Sequence, residues 1–262
     1  MTMDLSQAAR TAEQAAYAAG THLLAARSRL AEVVVTQQAP DEVVAEIDRE
    51  ALALIRDVVR KRFPEHGILG ADPAARAHDG RPLWVVEPIS GSADYLRGTP
   101  HYAVSLALVQ EGEPQVGVVY DPSRNEFFGA VRGRGAVLNG TPIRCSSPHA
   151  ARQALAATVF PRPSSPRLAG YMAELGRVLR DFGSVRRSAC TPLEMAHLAA
   201  ARIDAFWGHD LRAWAAAAGV LLLHESGARV EARDGEPLLL SRSLLACTPA
   251  VRDSFVSLLT PH

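Results

Sequence analysis

Between Leu83 and Gly140 the chain carries five apolar segments, "LWVVE", "HYAVSLALV", "QVGVVYD", "EFFGAV" and "GAVLNG", divided by turn residues at Gly98-Thr99-Pro100, Gly112, "DPSRN" and "GRG". Most of these gaps are too short for a helical crossover, so neighbouring strands must run antiparallel and form one sheet. Such a sheet needs cover for its apolar face, and the residues before it supply two helices. Residues 5–30 read as an Ala-rich helix and 42–63 as a second. In the second, Val44, Ile47, Leu52, Ile55, Val59 and Phe63 share one face, and Pro64 and Gly67 end it.

The pattern changes near residue 150. "ALAATVF" reads as a strand, Pro166–Phe182 as a helix, "GSVRRS" as a strand and Thr191–Ala201 as a helix. "RIDAFW" is a further strand, "LRAWAAAAGVLLLHESG" a helix, and Thr248–Leu259 the last helix. Alternation of this kind predicts a second sheet with helices on its faces. The expected organisation is an N-terminal α+β lobe, 1–150, with a mostly antiparallel sheet and the site loops. A C-terminal α/β lobe, 151–262, joins it in one compact unit. "PRPSSPR", Pro161–Arg167, reads as an exposed loop.

Composition narrows the partners. The 28 basic and 28 acidic residues cancel, which removes the electrostatic footprint expected of a nucleic-acid or anionic-membrane binder. Cys145, Cys190 and Cys247 are far apart and in no zinc-ligand spacing, so neither a disulfide framework nor a metal site is expected of them. The longest apolar run, Ala213–Leu223, is too short to span a bilayer, and the first residues lack a signal-peptide core. A cytoplasmic protein acting on a small molecule is the expectation.

Two segments promise chemistry. In "WVVEPISGSADYLRG" an apolar strand delivers Glu87 to a proline turn and a run of small residues, where the Gly91 and Ser92 N–H groups suit an anion. "GHDLRAW" offers His209, Asp210 and Arg212 as acid–base groups or an anion clamp.

Three blocks, "WVVEPISGS", "VSLALVQEGEPQVGVVYDPSRNEFFGAVRGRGAVLNGTPI" and "AARIDAFWGHDLRAWAAAAGVLLLHESGA", resemble the inositol monophosphatase family, within the metal-dependent, lithium-sensitive phosphatases that include fructose-1,6-bisphosphatase. The resemblance implies an α/β (α+β) fold, a layered α-β-α-β-α sandwich, and a homodimer. It also implies carboxylates that hold Mg²⁺ ions around a phosphate monoester. Carried over by position, it places Gly70-Ala71-Asp72 at the family's Gly-Glu-Glu. Glu87, Ser90, Gly91 and Ser92 fall in its W-x-x-D-P-I-D-G-T pattern, and Ala215 at the Asp of W-D-x-A-A-G. Asp48 and Ser92 match the Asp and Thr that activate the attacking water.

On those exchanges the sequence predicts a site with no metal and no other cofactor. Glu87, Asp48 and Ser92 are the expected catalytic residues. Ser90, Gly91, Asp72, Tyr95, His209, Asp210 and Arg212 are the expected substrate-binding residues. The expected function is a repurposed enzyme performing metal-independent acid–base chemistry, an isomerisation, elimination or cyclisation, on a small molecule. A non-catalytic ligand- or partner-binding protein is the second reading. A Mg²⁺-dependent phosphomonoesterase with a rearranged metal site is the third.

Overall fold

The structure, a computed structural model, describes residues 4–27, 35–39, 42–70 and 80–260. The chain begins with α1 (Leu5–Ala26), opened by Asp4, whose carboxylate accepts from the N–H groups of Ser6 (2.9 Å) and Gln7 (3.1 Å). A stripe of buried alanines, among them Ala8, Ala12, Ala15, Ala16 and Ala19, lets this helix lie close against its neighbours. At Gly20 the approach is closest: a Cβ there would stand 2.4 Å from the Tyr120 ring.

A hairpin follows, β1 (Val35–Ala39) and β2 (Glu42–Ala45), and then α2 (Glu46–Arg62). The second helix therefore starts four residues later than its apolar spacing predicts. "EVVA" goes to strand, as β-branched residues favour, and the acidic Glu46 and Asp48 open the helix where its N-terminal dipole suits them.

The first sheet has seven strands in sequence order: β3 (Gly67–Leu69), β4 (Leu83–Ser90), β5 (Ala103–Gln110), β6 (Glu113–Asp121), β7 (Glu126–Val131), β8 (Ala136–Leu138) and β9 (Thr141–Ile143). Only β3 and β4 pair in parallel; the remainder is the antiparallel meander that the short turns demanded. A short helix, α3 (Ser92–Leu96), interrupts the path from β4 to β5.

The second half alternates as expected: β10 (Leu155–Val159), α4 (Leu168–Asp181), β11 (Ser184–Arg187), α5 (Thr191–Ala199), β12 (Ala205–His209) and α6 (Ala213–Ser226). Two strands then appear that the sequence reading lacked, β13 (Arg229–Ala232) and β14 (Ser243–Cys247). The final helix is shorter than predicted: Pro249–Val251 forms a 3₁₀ turn, and α7 is Arg252–Leu259. The second sheet has the order β11-β10-β12-β14-β13, with β10 parallel to both neighbours and β14 antiparallel to both of its own.

Three apolar clusters bond these parts into an α-β-α-β-α stack. One joins α1 and α2 to the outer face of the first sheet, through Leu23, Ile55, Trp84 and Tyr120. The largest fills the space between the sheets around α5 and α6, from Val85 and Phe128 on one side to Phe206 and Leu244 on the other. The third lies under α4 and α7, around Tyr171, Trp207 and Phe255. Gly117 permits a close inter-layer contact, since a Cβ there would stand 2.9 Å from the Ala218 carbonyl on α6. Cys190 and Cys247 are buried and Cys145 half-buried, all as free thiols. No helix among the described residues is long and apolar enough to cross a membrane.

Candidate active site

The strand β4 ends in a slip. Its register against β5 shifts between Glu87 and Ser90, the kind of irregularity that re-aims a side chain out of a ladder. Gly91 then turns the chain into α3 with φ +82°, and a Cβ at this position would stand 2.6 Å from the His101 carbonyl oxygen. Only glycine meets both demands. Asp48, in the first turn of α2, accepts a hydrogen bond from the Ile89 N–H, which ties that helix to the end of the strand beside Glu87. Burial raises the Asp48 carboxyl to about 6, against smaller opposing effects of the Ile89 N–H and Arg49. These groups form one wall of an open cleft of about 330 Å³.

The other wall comes from the second sheet. The cleft lies at the carboxyl ends of the parallel strands β10, β11 and β12, where Val159 and Phe160, Arg187 and Ser188, and His209 and Asp210 line it. Carboxyl ends of parallel strands are the usual place for ligands in such sheets. The helices α5 and α6 start here, with Thr191, Trp214 and Ala215 on the lining, so their amide-rich ends add positive potential. Arg162, Arg187 and Arg212 complete this wall. The lining thus combines Asp48 from α2 and Glu87 from β4 with three arginines and Asp210 from the second half of the chain.

Of the residues expected from sequence, Asp48, Glu87, Ser92, His209, Asp210 and Arg212 line this single cleft. Gly91 acts through the turn it permits. Ser90 is a correction: it is 4 % exposed and bonds the buried Cys190 thiol behind the wall. Tyr95 is another: it is fully buried, donates its hydroxyl to the Leu23 carbonyl at 2.7 Å, and packs edge-on against Tyr102. Its place in the core follows from the α3 turn, which swings it toward α1 instead of the cleft. Asp72 lies outside the described residues, as does Ala71.

His209 and Asp210 are held by neighbours. His209 Nε2 meets Glu174 Oε2 at 2.8 Å and Nδ1 meets the Ser243 hydroxyl at 2.7 Å, so both ring nitrogens are engaged. Arg233 bonds the other Glu174 oxygen at 2.8 Å. Asp210 adopts a left-handed backbone (φ +57°) and anchors Pro161–Arg167, the segment expected to be an exposed loop. Burial pushes its carboxyl up, but the Ser165 hydroxyl, the Arg162 N–H and Arg167 (3.2 Å) outweigh that and hold it below the usual range. The Pro161–Arg167 segment is therefore strapped to the rim of the cleft.

Sequence reasoning missed Arg162, Arg187, Phe160 and Trp214. Their signal was positional: Phe160 and Arg187 sit at or just past the end of a parallel strand, where ligand contacts gather. Behind that end lies a buried cluster. Glu194 on α5 is 0 % exposed and accepts from Arg186 Nε (3.0 Å) and Nη2 (2.8 Å), with His101 Nε2 at 3.4 Å. Burial alone would raise its carboxyl, but His101, Arg186 and Ser188 hold it below the usual range. His197 Nδ1 accepts from Arg186 at 2.7 Å, and burial lowers this imidazole to about 4.

Comparison with known proteins follows the same lines as the geometry. The sequence profile of the inositol monophosphatase family matches residues 4–259. An inositol-1-monophosphatase of Rhizobium meliloti is 35 % identical over 215 residues, 82 % of this chain and 81 % of that protein. The Nus factor SuhB of Escherichia coli K12 is 34 % identical over 221 residues, 84 % of this chain and 83 % of its own. Among solved structures, the extragenic suppressor protein SuhB of Bartonella henselae superimposes with TM-score 0.91 at 30 % identity, over 96 % of this chain and 97 % of that one. The inositol monophosphatase of Anabaena gives 0.86 at 30 % identity, over 98 % and 96 %.

These relatives overturn the expectation of a scaffold turned to metal-independent isomerisation, elimination or cyclisation, and with it the expectation of a non-catalytic binder. They support phosphatase function instead. Nothing in them supports a degenerate metal site.

Proposed function

The chain belongs to the inositol monophosphatase family, and from that premise we propose that it hydrolyses the phosphate monoester of a small polar molecule in the cleft between the two sheets. One observation carries the reading. Asp48, Glu87 and Ser92 share with Arg162, Arg187 and Arg212 the lining of one space of about 330 Å³, large enough for a small phosphate ester.

The donor set fits a magnesium ion of the kind that keeps part of its water shell. Among the described residues no group of three or more His, Cys, Asp and Glu side chains is placed to enclose a metal. Glu87 lies on the lining beside Asp48, and magnesium is commonly held by one or two carboxylates together with substrate phosphate, which leaves Asp48 for the water. When bound there, the ion supplies charge neutralisation at the phosphate and a more acidic water.

The protein's own groups divide the remaining work. In this reading Asp48, held by the Ile89 N–H, takes the proton of the attacking water and the Ser92 hydroxyl orients that water, both being residues of the cleft lining. The arginine wall and the starts of α5 and α6 receive the phosphate oxygens as the P–O ester bond breaks. The homodimer that the resemblance implies belongs to the same proposal, and sedimentation velocity tests it.

Phosphate release from inositol 1-phosphate, glycerol 2-phosphate and benzyl phosphate, with and without Mg²⁺, tests the activity. Mg²⁺-dependent release that falls roughly 10²-fold or more in Glu87→Gln and Asp48→Asn is the expected result. No release from any monoester at any Mg²⁺ concentration would overturn it.

A further inference from the structure

The basic wall carries more than charge. Phe160, the residue after β10, is 50 % exposed, a large apolar ring left open at the mouth of a polar cleft. Yet it is not loose. Tyr171 meets it edge-on, with centroids 5.6 Å apart, and Tyr171 in turn stacks on Trp207 at 6.0 Å, which meets Phe255 at 5.9 Å. A chain of aromatic contacts thus runs from the core to the rim and fixes the exposed ring. The Arg187 guanidinium lies 4.7 Å from its centroid. A second pair of the same kind, Arg212 over Trp214 at 5.4 Å, lines the same wall.

Rings and guanidinium planes favour one class of ligand. Flat π-systems stack on both, and such stacking is sequence-tolerant but strongly dependent on planarity. A saturated polyol can lay C–H groups on the ring and accept from the guanidinium edge, but it has no π face to stack on either. Its hydroxyls need hydrogen-bonding groups at set positions, and the exposed Phe160 ring itself offers none. The lining then divides the substrate, with the phosphate between the acids, Arg162 and Arg212, and the organic part over the Phe160–Arg187 platform.

We propose that the phosphate ester taken by this cleft carries a planar aromatic ring, seated on the Phe160–Arg187 platform. The proposal rests on the phosphatase reading for its chemistry, but binding can be read separately from turnover. Benzylphosphonate and cyclohexylmethylphosphonate are non-hydrolysable, share charge and length, and differ in ring planarity; the cyclohexyl ring is the more hydrophobic. Isothermal titration of each into the full chain with Mg²⁺ should show benzylphosphonate binding about ten-fold tighter, some 1.4 kcal/mol. Phe160→Ala should bring the two affinities together, and Phe160→Trp should restore the difference.

Equal affinities in the natural chain, or a preference that survives in Phe160→Ala, would overturn the platform. Turnover of benzyl phosphate against cyclohexylmethyl phosphate, both with alkyl leaving groups, reports on the chemistry. Hydrolysis of both with equal KM sinks the platform and leaves the phosphatase reading standing. Selective phosphonate binding without hydrolysis of either ester does the reverse.

Discussion

Replacing Arg186 by Met tests whether the buried cluster behind the cleft behaves as a paired charge. Glu194 is fully buried and receives two N–H bonds from Arg186, at 3.0 and 2.8 Å. Removing one member of a buried pair costs about 3–5 kcal/mol, because the other charge is left without compensation. Here the Arg186 side chain is 37 % exposed, and His101 remains 3.4 Å from Glu194, so the lower end, about 3 kcal/mol, applies. Glu194→Leu should cost less, about 1–2 kcal/mol, since a partly exposed arginine can turn to water. The double substitution should then be more stable than Arg186→Met alone, with a coupling of about 2 kcal/mol in the cycle. For a chain of 262 residues each kcal/mol moves the unfolding midpoint by about 2 °C, so Arg186→Met should melt roughly 6 °C lower. Circular dichroism melts of the four proteins measure this. If Arg186→Met costs under about 1 kcal/mol, or the two single effects simply add, the account of Glu194 as a compensated buried charge is wrong.

Other expectations are briefer. His197 is 6 % exposed and lowered to about 4, so between that value and its ordinary 6.5 the unfolded chain binds the extra proton. Its contribution is fully present above pH 6.5 and is lost as the pH falls toward 4, by up to about 3 kcal/mol; His197→Gln should flatten that limb of a urea-midpoint profile. Gly91→Ala meets both a left-handed backbone and the His101 carbonyl at 2.6 Å and should cost well over 2 kcal/mol along with activity. Gly133→Ala, with φ +73° and open space, should cost only about 1 kcal/mol, and equal effects would refute the steric part of the argument. Ala215→Asp puts a further carboxylate on the cleft lining in the first turn of α6 and should tighten Mg²⁺ binding about ten-fold by calorimetry. Unchanged affinity would remove Ala215 from the metal's surroundings.

Much of the fold was legible because its signals are local. β4 through β8 announced themselves by apolar runs and turn residues, and α6 by an apolar stretch buried almost all round. The lost elements are those where local signals conflict. Arg229–Ala232 alternates too briefly to be recognised, and Ser243–Cys247 is a short apolar run whose fate as a central strand is decided by β12 and β13 on either side. Val44 fits the apolar face of a helix equally well as a hairpin strand, and tertiary pairing chose the latter. In the site, Asp48, Glu87 and Ser92 were readable from one motif and one helix. The arginine wall was not, because Arg162 and Arg187 reach it from separate connections that only the parallel sheet brings together. The exchanges at the family's acidic positions, Ala71, Glu87, Ser90 and Ala215, led the sequence reading away from the phosphatase function that the relatives support.

The largest apolar cluster has a consequence for how the protein is made. The inner face of the first sheet, with Leu83, Val85, Ala107, Val109, Val119 and Phe128, is covered by α5 and α6, which lie after residue 190. A nascent chain that has just completed β9 therefore presents this greasy surface to the ribosome's surroundings until α6 is out, about eighty residues later and a matter of seconds. During that interval the chain is a natural client for holdase chaperones. A fragment cut near residue 150 should be insoluble alone and recovered when the missing part is co-expressed.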